Sequence, residues 1–140
     1  MIQSKKVYVA SDAFFAFIDR AHPKHEQADA FFRYFAQEEY KLFTDFVQLL
    51  EVYKKIYIDI SPSLSKDFMR TIALSNFNII YPEESDNKSA LKSLVTYQVT
   101  ELTYQMALMS VISNRRGITQ IFTFEYLHPL FGLSTYYLPL

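Results

Sequence analysis

Short β-favouring runs alternate with helical stretches along almost the whole chain, and this alternation constrains the fold more than any other feature. Val7, Tyr8 and Val9 make the first such run, within a strand expected over residues 6–10. Ser11 or Asp12 is suited to cap a helix over residues 13–19, which His22-Pro23 breaks. Ala28, Phe31, Phe32, Phe35 and Ala36 fall at i, i+3, i+4, i+7 and i+8, the apolar stripe of a helix over residues 25–36. A second strand is expected over 41–44, with Asp45 at the N-cap of a helix reaching about Tyr57. Ser61 and Pro62 start the next helix, with proline at its first position. Residues 77–81 read as a third strand closed by Pro82. Residues 86–97 read as a helix with Ala90, Leu91, Leu94 and Val95 turned inward. A further helix begins at Thr100 or Glu101. It ends at Arg115-Arg116-Gly117, where two cations suit the helix dipole and glycine suits the position just past the end. Residues 120–123 form a fourth strand, and a loop through Pro129 leads to a last strand over 134–138.

Alternating strands and helices imply a parallel sheet covered on both faces. The expected class is α/β: three layers, α/β/α, with a central, mainly parallel sheet of four or five strands in a single domain. A formal charge of −1 argues against a broad basic face for nucleic acid but leaves room for a local groove. The absence of cysteine excludes disulfides, a thiol nucleophile and thiolate-bound zinc. Only two glycines occur, too few to suggest a phosphate-cradling glycine loop. No apolar run approaches the roughly 18 residues of a membrane helix, and the first residues lack the pattern of a signal peptide. A cytoplasmic protein without a membrane partner is expected. The aromatic surplus, 13 Phe and 11 Tyr, suggests that some ring surface lies at a subunit contact.

In open α/β sheets ligands collect beyond the carboxyl ends of the strands. The residues to weigh are therefore Ser11 and Asp12, then Asp45 and Glu51, then Thr123, Phe124 and Glu125, with Thr103, Tyr104 and Gln105 on the helix near Glu101. Carboxylates crowded at one edge repel one another, and a hard divalent cation such as Mg²⁺ or Mn²⁺ relieves that repulsion. Such an ion activates water against a phosphodiester.

Four patches, KVYVASDAFFAFID, LFTDFVQLLEVY, ELTYQMALMSV and TQIFTFEYLHPLFGL, recur in an order and spacing that resemble the PIN domain, the metal-dependent nuclease fold of VapC-type toxins. The resemblance spans nearly the whole chain and implies an acidic residue in each patch. The position that ends the first strand holds Ala10, followed by Ser11-Asp12-Ala13. His25 to Ala28 match a His-x-x-Ala helix start. Thr44 to Val52 follow the second pattern closely, with Glu51 as its acid. Leu102-Thr103 lead to Tyr104 at the third acidic position, and Thr123-Phe124-Glu125 is a version of Thr-Phe-Asp. The resemblance therefore implies Glu51 and Glu125 as catalytic residues and ligands of Mg²⁺ or Mn²⁺; as local substitutes for the missing acids, Asp12 is a further catalytic residue and ligand and Glu101 a further ligand. Thr44 and Thr123 support them, while Ala10 and Tyr104 mark lost acids. With two acids missing, metal binding is expected to be weak or absent.

Two function classes follow: a weak or impaired endoribonuclease, or a non-catalytic module that binds RNA or an antitoxin-like protein, in either case as a homodimer. Blander roles are also open. Asp12 and Asp45 suit helix capping, Tyr104 suits packing or stacking on a base, and Glu51 and Glu125 suit solvent. His22 and His25 read as a solvated helix entry, His128 as loop, Lys54-Lys55 as solvated surface, and Arg115-Arg116 as a helix end. A receiver-type domain fits poorly, because residues 76–81 and 121–123 lack the Asp and Lys it needs.

Overall fold

Val7, Tyr8 and Val9 are completely buried at the centre of a computed structural model that describes residues 5–97 and 100–125, and the backbone of 134–136. They lie in β1 (Lys6–Val9), which pairs in parallel with β2 (Lys41–Asp45) on one side. Next to β2 lies β3 (Asn78–Ile80); on the other side of β1 come β4 (Gln120–Phe122) and β5 (Ser134–Tyr136). The order is β3-β2-β1-β4-β5, and every pair is parallel.

Six helices complete the layers. The helices α1 (Ser11–Ile18) and α2 (His25–Gln37) join β1 to β2, and α3 (Phe46–Asp59) and α4 (Pro62–Ala73) join β2 to β3. The pair α5 (Glu84–Thr96) and α6 (Tyr104–Arg116) leads from β3 back across the sheet to β4. Strand periodicity of two separates the two cores. Val7 and Val9 pack with Phe14, Phe31, Phe35, Leu49 and Phe68 on the face of α1 to α4. Tyr8 and Ala10 pack with Leu108, Ile112 and Ile121 on the face of α5 and α6. Much of the phenylalanine content closes on Phe122, whose ring lies 4.7 Å from that of Phe31, 5.3 Å from Phe32 and 5.6 Å from Phe35. At such spacings each ring pair adds about 0.5–1.5 kcal/mol beyond its area burial.

Chain ends of the elements follow local chemistry. Asp45 caps α3 by accepting from the Gln48 N–H at 2.9 Å, and Ser61 caps α4 ahead of Pro62. Gly117 closes α6 in the left-handed conformation at φ +67°, as the sequence leads one to expect. Other expectations need correction. Neither Ser11 nor Asp12 caps α1; Ala10 holds the cap position, without a side-chain bond. The helix α5 begins at Glu84, where the Glu83 N–H donates to Asp86. Leu91 and Val95 point outward, 55% and 75% exposed, while Ala90 is buried and Leu94 half-buried, because Asp86 and Ala90 set the phase of the inward face. Thr103, not Thr100 or Glu101, caps α6, which leaves Glu101 outside the helix. The last strand is Ser134–Tyr136; the loop through His128 and Pro129, and residues 137–138, lie outside the described residues. Among the described residues no helix is long and apolar enough to cross a membrane.

The order of strands fixes where a ligand would sit. After β1 the chain builds outward through β2 and β3 with its helices on one face. It then crosses to the other face and returns beside β1 as β4. The connections thus diverge between β1 and β4, which opens a crevice beyond their carboxyl ends.

Candidate carboxylate cleft

Two adjoining hollows, about 250 and 80 Å³, open at this crevice, and Ser11, Asp12, Glu51 and Glu125 line both. Asp12 comes from the first turn of α1, Glu51 from the second turn of α3 and Glu125 from just past β4. Residues far apart in the chain are therefore brought together as the sequence suggests.

The threonines do the joining. The Thr44 hydroxyl donates to the Val9 carbonyl at 2.9 Å, which ties the end of β2 to the end of β1. The Thr123 hydroxyl lies 2.9 and 3.0 Å from the two Asp12 oxygens, and the Phe124 N–H donates to Asp12 at 2.8 Å. Asp12 is thus the clasp between β4 and α1, in place of its expected capping role. Gln48 adds a third tie: its side-chain oxygen accepts from the Ser11 N–H at 2.7 Å. No motif in the sequence singles out Gln48. Its signal was position, one turn before Glu51 on the same face.

The electrostatics of the cleft are those of crowded anions. Burial raises the pKa of Glu125, and the nearby charges of Asp12 and Glu51 raise it further. Burial also raises the pKa of Asp12, against the bonds from Phe124 and Thr123. Asp45 lies one layer deeper, completely buried. Burial raises its pKa, the Tyr8 hydroxyl that donates to it opposes the shift, and Glu51 adds a small upward push.

An ammonium and an imidazole share the same hollow, unanticipated from the sequence. His22 and Lys55 line it together with Asp12, Glu51 and Glu125. Both rest on the ring of Phe15, the Lys55 ammonium 4.7 Å from its centroid and the His22 ring edge-on at 6.1 Å. Lys55 follows Glu51 by one turn of α3, a spacing that puts both on one face.

A search of protein-family models and of curated protein sequences finds no match. Among solved structures the chain is similar to VapC20, a toxin of Mycobacterium tuberculosis that cleaves the sarcin-ricin loop. The TM-score is 0.74, over 82% of this chain and 86% of that one, at 14% identity. The chain has the PIN fold. At that identity the likeness establishes architecture and leaves the chemistry to the residues.

On this PIN scaffold Ala10 sits in the inner hollow, 5% exposed, and brings no ligand atom to it. Tyr104 does not line either hollow. Its hydroxyl donates to the Asn87 side chain at 2.5 Å, which ties it to α5. The α6 side chains that do line the inner hollow are Gln105, Met106 and Met109, none of them acidic. Glu101 lines neither hollow.

The PIN resemblance implies Mg²⁺ or Mn²⁺, which Asp12, Glu51 and Glu125 would hold. Among the described residues no three His, Asp or Glu side chains are grouped so as to hold one ion. Ala10 and the Gln105, Met106 and Met109 side chains of α6 bring no acid to the inner hollow. As arranged, the donor set does not fit a divalent ion.

Proposed function

We propose that this chain is an RNA-directed PIN-type domain, related to the metal-dependent endoribonucleases, whose own cleavage activity is weak or lost. The observation that carries the reading is the cleft itself. Carboxylates from three separate segments converge where β1 and β4 diverge, yet the residue ending β1 is Ala10 and α6 offers amide and thioether groups. The scaffold suits phosphodiester chemistry, while the charge needed to hold Mg²⁺ or Mn²⁺ is reduced. Because VapC20 cuts the sarcin-ricin loop, a structured RNA of that kind is the first substrate to try.

The test is to incubate purified protein with such an RNA, with and without Mn²⁺, and to measure binding in parallel. RNA binding with slow or undetectable cutting is expected. Rapid metal-dependent cutting would remove the claim of impairment; absence of RNA binding would remove the claim of an RNA target.

A second reading, a module that binds an antitoxin-like protein and forms a homodimer, draws on a different surface. A groove of about 290 Å³ between α1, α2 and α4 is walled almost entirely by Phe14, Phe17, Phe32, Leu64, Phe68 and Phe77. Sedimentation velocity at micromolar concentration tests the dimer, and a monomer would count against it.

A further inference from the structure

We infer that the cleft recognises phosphate through its own side-chain cation, Lys55, assisted by His22, in the place where a divalent ion would otherwise serve. The inference rests on the reading of the chain as an RNA-directed PIN domain, and it starts from the misfit between the acidic residues and a metal.

Lys55 is placed for this role by two contacts. Its ammonium lies over the Phe15 ring, which is only 6% exposed and therefore fixed. Glu51 lies one turn before it and Asp59 one turn after, the latter at 3.6 Å in a pair that is about half exposed on both sides. Such an exposed pair contributes little, roughly 0–1 kcal/mol, so the ammonium can exchange Asp59 for a phosphate oxygen with little loss. His22 approaches the same ring from its edge. Its Nδ1 accepts the Lys24 N–H at 3.0 Å, so the ring proton of the neutral form sits on Nε2 and serves as a donor. Phe15 is therefore a platform carrying two donors at one wall of a hollow whose other wall holds Asp12, Glu51 and Glu125. A cation fixed within a carboxylate cleft does two things. It offsets part of the carboxylates' charge, so that a phosphate oxygen can meet the ammonium at the outer hollow, and it repels a free divalent ion from the same place.

The experiment measures binding of a fluorescein-labelled RNA hairpin in EDTA, and of Mn²⁺ alone by calorimetry, for the wild type, Lys55→Met, His22→Gln and the control Lys54→Met. Lys54 is exposed on the same helix and does not line the cleft. The wild type is expected to bind RNA in EDTA. Lys55→Met should weaken that binding about three- to ten-fold, the scale of one charge-assisted bond at a partly exposed site, and His22→Gln by a smaller factor. Lys54→Met should stay within about two-fold of wild type, as expected for a screened surface charge. Lys55→Met should also bind Mn²⁺ more tightly than the wild type, a gain that damage to the fold would not produce. RNA binding that requires Mg²⁺ or Mn²⁺, or equal effects of Lys55→Met and Lys54→Met, overturns the inference and leaves the RNA reading standing. No RNA binding with or without metal overturns both.

Discussion

The carboxylate cleft and the buried Asp86 are built on opposite principles. In the cleft, Asp12, Glu51 and Glu125 face one another, and burial with mutual repulsion raises the pKa of Glu125. On the far face, Asp86 is 2% exposed and meets Arg115 through two parallel bonds of 2.9 and 2.7 Å, with the Glu83 N–H at 3.0 Å as a third donor. Burial works against that charge, but the bonds from Arg115 and Glu83 outweigh it and hold Asp86 below the usual carboxylate range. A carboxylate satisfied by its surroundings clamps α5 to α6. In the cleft, Asp12 and Glu51 instead raise the cost of the Glu125 charge. Arg115 thus belongs to the scaffold, not to a ligand.

The contrast can be broken most sharply by mutation. Asp86→Ala strands a guanidinium and an amide, and should cost about 3 kcal/mol in urea unfolding. Glu51→Gln should leave stability within about 0.5 kcal/mol, as for an exposed side chain. Equal effects of the two would erase the distinction. Next in size is Ala10→Asp, which adds a buried charge at the inner hollow. In EDTA it should lower stability by about 2 kcal/mol, and Mn²⁺ should restore part of the loss by mass action. A melting temperature indifferent to Mn²⁺ would mean that Ala10 does not stand at a ligand position.

The pH dependence sharpens the comparison further, because the signs differ. Asp86, with its pKa lowered by folding, contributes stability above the ordinary carboxylate range. That stability is lost as pH falls through the depressed value. Asp12, with its pKa raised, acts in reverse: stability declines as pH rises from the ordinary carboxylate range through the raised value. Asp86→Asn should therefore flatten the acid limb of a stability–pH curve, and Asp12→Asn the limb just above it. The smallest effect is the most local. Glu51→Gln should lower the pKa of Glu125 as followed by NMR titration, and no movement would show that the two carboxyls do not sense each other.

How much was legible in the sequence follows the range of the interactions. Asp45, the Ser61-Pro62 pair and Gly117 announce helix ends through bonds within a few residues, and each behaves as read. Glu51 and Glu125 were found by pattern, and the sheet topology brings them together. Asp12 misled because its true partners, Thr123 and Phe124, lie more than a hundred residues away and outcompete the local cap. Tyr104 suits the packing role open to it in the sequence, since α6 begins at Tyr104 behind its Thr103 cap and the Tyr104 hydroxyl meets Asn87 of α5. Lys55 looked like ordinary solvated surface until Phe15 was seen beneath it.

The clasp between Asp12 and Thr123 has a consequence for synthesis. During translation β1, β2 and β3 emerge with every helix of the first face, but β4, which Thr123 follows, comes only after residue 119. Until then one edge of β1 is bare and Asp12 has no hydroxyl to hold. A nascent chain can bury Phe14 and Phe35 early, yet its anionic crevice takes shape only when β4 slides in beside β1. Asp12 therefore stays without its clasp until β4 has been made and has docked beside β1.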